Sequence, residues 1–170
     1  MPKVVVGATG TPGSLAALHQ AAAEARVRDA ELWAVLAWQP PGGELGSRNG
    51  LGPDAAAQCR AAAVERLREV LDTAFGAVRP GVTLVGRTVR ATPGAALVDT
   101  ARDPEDLLVV GTGPRTVWRR LGRPSVARYC MAHAACPVLA VPPSPLQAEL
   151  ESVHRRNVWR IPLDLRELAP

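Results

Sequence analysis

Residues 106–142, DLLVVGTGPRTVWRRLGRPSVARYCMAHAACPVLAVP, restrict the possible folds more than any other stretch. A short apolar run, Leu107 to Val110, breaks into a glycine turn at Gly111 and Gly113. Five arginines follow without an acid between them: Arg115, Arg119, Arg120, Arg123 and Arg128. A short helical stretch then leads to a second apolar run, Pro137 to Val141. Strand, glycine turn, helix, strand is how an open α/β sheet is wound. Such a turn suits an anion, because small residues let N–H groups approach a phosphate and the helix N-terminus adds a favourable dipole.

The rest of the chain repeats that alternation. Val4 to Val6 is a β-branched run ending at Gly7, and Gly13 to Arg28 carries Leu15, Leu18, Ala22 and Ala25 at helical spacing. Leu32 to Trp38 is a second strand, followed by a Pro- and Gly-rich loop from Gln39 to Pro53. Asp54 is expected to cap a helix running to about Phe75, and Val82 to Val89 is a third strand. Thr92-Pro93 opens a short helix to about Ala101. Leu107 to Val110 and Val138 to Val141 supply strands four and five. The predicted fold is therefore α/β, an open five-stranded parallel sheet flanked by helices. Its ligand crevice lies beyond the carboxyl ends of the strands, where the strand order reverses.

At 170 residues the chain holds one domain, residues 1–142, with a tail over residues 143–170. Ser144 and Gln147 form a capping-box pattern for a tail helix to about His154, and Val158 to Leu165 alternates apolar and polar residues around Pro162. No apolar run approaches the ~20 residues of a membrane span, and the N-terminus enters a strand directly, so a cytoplasmic protein is expected.

Function classes narrow in the same way. The net charge is +4, but Lys3 is the only lysine, and arginines such as Arg26, Arg28, Arg66 and Arg68 share helices with Glu24, Glu65 and Glu69, so nucleic acid is not the expected partner. The glycines of GATGTPG (Gly7, Gly10, Gly13) have dinucleotide-binding spacing, yet the second strand ends in Ala37-Trp38-Gln39 with no acid for a ribose. His19, His133 and His154 stand alone on predicted helices, so neither a catalytic set nor a metal site is expected. Cys59, Cys130 and Cys136 match no zinc spacing, and the last two read as buried thiols.

The segment VVVGATGTPGSLAALHQAAAEARVRDAELWAVLAW together with the closing CPVLAVP resembles the universal stress protein family, across roughly residues 3–142. The resemblance implies a Rossmann-like sheet of the adenine nucleotide alpha hydrolase type, a stress-response binding or signalling role without catalysis, and a homodimer through the last strand; the tail, too small to fold alone, is expected to pack on the domain or on a partner subunit. ATP-binding members follow their fourth strand with Gly, two residues, Gly, nine residues, then Gly and Ser or Thr. Here those positions hold Gly111, Pro114, Pro124 and Ser125, while the family's Asp in the first turn falls on Thr9. The implied phosphate site is Gly111, Thr112, Gly113, Arg115 and Ser125, with Ala8 and Thr9 on the ribose side and the backbone near Leu36 at the base. Proline has no N–H to give a phosphate, so ATP or AMP is expected to bind weakly or not at all. The alternative expectation is an interaction subunit that binds a protein partner and no nucleotide.

Overall fold

A computed structural model of the chain describes residues 1–40, 53–76, 78–112 and 125–142. Nine elements alternate along it: β1 (Lys3–Gly7), α1 (Pro12–Arg28), β2 (Glu31–Trp38), α2 (Pro53–Phe75), β3 (Leu84–Arg90), α3 (Pro93–Thr100), β4 (Leu107–Gly111), α4 (Val126–His133) and β5 (Val138–Val141). All strand pairs are parallel, in the order β3-β2-β1-β4-β5. The order reverses between β1 and β4, which places the crevice above Gly7 and Gly111.

The central strands are apolar on both sides because helices cover both faces. Val4 and Val6 pack with Leu18, Leu67 and Val70 of α1 and α2 on one face. Val5 and Leu108 pack with Leu97, Ala127 and Cys130 of α3 and α4 on the other. α1 buries a continuous stripe of small residues, Ala17, Ala21, Ala22 and Ala25, so it lies close to the sheet. It ends at Asp29 in the left-handed region (φ 50°), whose N–H donates to Ala25 O.

Several boundaries differ from the sequence expectation. α1 begins at Pro12 with Thr11 as its cap, one residue before the predicted start. Asp54 lies inside the first turn of α2 rather than capping it; there its charge still complements the helix dipole. β3 is shifted to Leu84–Arg90, because an edge strand with exposed Gly86, Arg87 and Arg90 carries little burial signal. The tail helix, the Val158–Leu165 alternation, His154 and the loop over residues 41–52 lie outside the described residues.

Candidate functional site

The crevice floor is one row of residues across three strands. Gly7 pairs with Val35, and Val6 with Val109, so Ala8, Leu36 and Gly111 follow at the same level. Ala8 is fully buried and its N–H donates to Val35 O at 2.9 Å. Leu36 is buried in the face covered by α1 and α2. Gly111 ends β4 against the first turn of α1; a Cβ there would stand 2.7 Å from Gly13 O. Only glycine allows that approach.

The β1–α1 turn is held from within. Ser14, 7% exposed, donates its hydroxyl to Gly7 O at 2.9 Å and accepts from Thr9 N–H at 2.9 Å. Its own N–H donates to Thr11 Oγ1 at 3.3 Å, and Leu15 N–H donates to Thr11 O at 2.9 Å. Thr9 Oγ1 and Thr11 Oγ1 lie 3.2 Å apart at the exposed rim. Where the family carries a carboxylate, this rim presents hydroxyls.

On the β4 side, Thr112 is exposed, and both its N–H (2.9 Å) and its hydroxyl (3.3 Å) donate to Val141 O. Ser125 caps α4: its Oγ accepts from Arg128 N–H at 3.2 Å, which leaves the hydroxyl proton to be donated outward. Gly113 and Arg115 lie outside the described residues, as do Pro114 and Pro124. The structure thus gathers Ala8, Thr9, Leu36, Gly111 and Thr112 at one edge of the sheet, with Ser125 opening the helix that follows β4.

Sequence reasoning missed Ser14, Thr11 and Arg66. Thr11-Pro12 repeats the Thr92-Pro93 cap pattern and was legible on that ground. Arg66 was not legible, because α2 delivers it from a distance: its Nη2 would lie 3.0 Å from a Cβ on Gly10. Its Nη1 pairs with Glu69 Oε2 at 3.4 Å beside a small cavity of about 130 Å³.

The larger cleft of about 710 Å³ lies at the opposite, amino-terminal edge, lined by Asp29, Glu31, Asp72, Phe75 and Arg79 among others. Three carboxylates make it a poor place for a phosphate. Cys130, on α4, and Cys136, between α4 and β5, are both buried in the core of that face. Burial and the neighbouring Cys136 push the Cys130 thiol up to about 11, and burial followed by the Asp106 charge also raises Cys136. Among the described residues no group of three or more His, Cys, Asp or Glu is placed to hold a metal, and no helix is long and apolar enough to cross a membrane.

The fold and its crevice define a class, the open parallel α/β proteins whose ligands bind where the strand order reverses. The family model for the universal stress protein family matches residues 1–142, and the chain belongs to that family. A solved universal stress protein in complex with cAMP is 27% identical, covering 84% of this chain and 98% of its own, with a TM-score of 0.55. A family member from Burkholderia pseudomallei is 26% identical over 84% of this chain and 96% of its own (TM-score 0.56). UspA from Lactobacillus plantarum, 21% identical over 82% and 97%, shares the fold at a TM-score of 0.60. No curated protein matches the chain.

Proposed function

We propose that this chain is a stress-response binding module, built as a 1–142 domain with a 143–170 tail, that accepts an adenine nucleotide with a short phosphate group and discriminates against ATP. The observation that carries this reading is the cAMP held by a relative 27% identical over nearly its whole length. Family membership sets the chain in the cytoplasm and among proteins that bind rather than transform their ligands. A homodimer through β5, which pairs only with β4 among the described residues, belongs to the same reading.

The discrimination follows from which backbone donors remain. Pro114 and Pro124 replace two glycines of the family's loop and have no N–H. Each lost charge-assisted bond is worth about 1.5–3 kcal/mol, so two cost roughly a hundred- to ten-thousand-fold in triphosphate affinity. In the β1–α1 turn, the N–H groups of Ala8 and Thr9 are already engaged. A single phosphate needs fewer donors, and the outward hydroxyl of Ser125 and the guanidinium of Arg115 suit that smaller demand.

Calorimetric titration of ATP, AMP and cAMP into the full chain tests this. AMP or cAMP is expected to bind more tightly than ATP, and the Pro114→Gly/Pro124→Gly double variant to gain about a hundredfold or more for ATP. Tight ATP binding in the natural chain with no gain in the variant would overturn the reading. Silence toward all three nucleotides in both proteins would favour the interaction subunit.

A further inference from the structure

We propose that the cleft at the amino-terminal edge of the sheet docks a basic segment of a partner protein. An apolar side chain of that segment seats against Leu71, Phe75, Val82 and Leu84, and a neighbouring arginine or lysine lies among Asp29, Glu31 and Asp72. At about 710 Å³ the cleft has the size of a ligand pocket but not its shape. Asp29, Asp72, Gly76, Arg79, Gly81 and Thr83 line it and are all exposed. Open walls of this kind suit an extended segment lying along a groove better than an enclosed small molecule. The apolar floor lies between the ends of α1 and α2 and the start of β3, with Phe75 buried and Leu71, Val82 and Leu84 half-buried. Val27, two residues before Asp29, and Val78, one before Arg79, are 84% and 76% exposed, so apolar groups are also left open beside the lining.

The charged residues of the lining set the sign of the partner. Three carboxylates stand against one guanidinium, that of Arg79. Glu31 Oε2 accepts from Trp33 Nε1 at 2.9 Å, and among the described residues Asp29 and Asp72 have no ion-pair partner. The arginines closing α1 do not supply one. Arg26 Nε donates to Ala22 O at 3.2 Å, and Arg28 Nε pairs with Glu24 at 3.7 Å.

The two helices that end at this edge add to the same sign, because a helix C-terminus is the negative end of its dipole. α1 offsets this with Arg26 and Arg28 in its last turn. α2 has no base in its last turn and carries Asp72 there. An acid at that end opposes the dipole and weakens the free domain, a local choice that a docked cation reverses. Apolar floor, unpaired carboxylates and a helix end lacking its base thus call for one kind of partner. The cleft lies a strand length from the crevice, so this docking does not depend on the nucleotide reading.

Titration of short peptides into the full chain, followed by fluorescence anisotropy and by NMR shifts of the chain's amides, tests the proposal. The probe alternates leucine and arginine; one control has glutamate for arginine, the other alanine for leucine. The probe is expected to shift the amides of Asp29, Glu31, Asp72 and Arg79 and to leave Gly111 and Thr112 unmoved. Each control should bind at least about fivefold more weakly. Asp29→Asn/Asp72→Asn should weaken the probe by about fivefold or more, and Arg79→Ala should tighten it. Asparagine tolerates the left-handed backbone at Asp29, so the double variant keeps the α1 end. Asp72→Asn alone should raise the urea midpoint of the free chain, which separates lost binding from lost fold. Equal binding by the double variant, shifts centred outside the cleft, or no binding at all would overturn the proposal. So would a lower midpoint in Asp72→Asn, or an alanine control as tight as the probe. Spermidine moving the same amides and displacing the probe at equal concentration would assign the cleft to a small polyamine instead.

Discussion

Ser14 closes the β1–α1 turn with a single hydroxyl, which accepts a hydrogen bond from Thr9 N–H and donates one to Gly7 O. Ser14→Ala leaves both groups without their partner at a site where Ser14 itself is almost fully enclosed. It is expected to cost about 1–3 kcal/mol in urea unfolding and to weaken whatever nucleotide the rim holds, because Thr9 is then unpinned. A variant as stable as the natural chain would show that the turn is held by its backbone alone. The buried thiols give the second residue-scale expectation. Cys130 stays protonated in the folded state up to about 11, against 9.0 for a free thiol. Between those values the folded state holds more protons than the unfolded one, so stability should fall as pH rises through that window. Cys130→Ser should flatten the fall, as read from unfolding midpoints across pH. At neutral pH, thiol alkylation of the folded chain should be confined to Cys59, the least buried of the three.

The contact between β4 and α1 joins the two halves of the crevice. A methyl at Gly111 would stand 2.7 Å from Gly13 O and 3.1 Å from Gly13 C, both backbone atoms that cannot swing aside. Gly111→Ala should therefore destabilise the fold by about 1–3 kcal/mol and part the β4 end from α1. Nucleotide affinity lost in that variant would come from a displaced element; Ser125→Ala, at the exposed cap, separates binding from packing. Chemical denaturation beside calorimetry checks both, and an unchanged midpoint in Gly111→Ala would contradict the close approach. This contact also shows where sequence reading stops. The five strands, their parallel arrangement and the Thr92-Pro93 helix start were legible, because buried strands write apolar runs and helix starts write local chemistry; the order of the strands was not. Gly111 was legible as a turn residue but not as a packing residue. That role depends on the register that brings Ala8, Leu36 and Gly111 level across strands far apart in sequence. Arg66 and the limits of β3 escaped for the same reason: one arrives from a distant helix, the other lacks burial on its open edge.

At the scale of the whole molecule, the candidate crevice and the ion pair built on a buried carboxylate lie at opposite ends of the sheet. The crevice lies at the carboxyl ends of the strands; at the amino ends, Asp106 is 1% exposed and ties β1 to the start of β4. Its Oδ1 accepts from Lys3 N–H at 3.0 Å and its Oδ2 from Asp103 N–H at 3.2 Å, with Lys3 Nζ at 3.4 Å. Lys3 Nζ also donates to Thr100 O at 3.1 Å and lies 5.2 Å from the Trp33 ring centroid, which joins α3 and β2 to the same knot. Neither Lys3 nor Asp106 announces this in sequence, since they are a hundred residues apart and each is an ordinary charge beside a strand. Asp106→Ala removes an acceptor from two backbone N–H groups and leaves the Lys3 ammonium with Thr100 O and the indole face. Lys3 keeps some contact with water, so the loss should fall near 2–3 kcal/mol rather than at the upper end for buried pairs. Because the knot is a full strand length from the crevice, nucleotide affinity measured well below the melting temperature should be unchanged. Asp106→Asn, which keeps one acceptor oxygen, should recover part of the stability. A drop in affinity without a drop in stability would mean instead that the two ends of the sheet are coupled, and that the crevice is set by strands sliding against each other rather than by the turns at its rim.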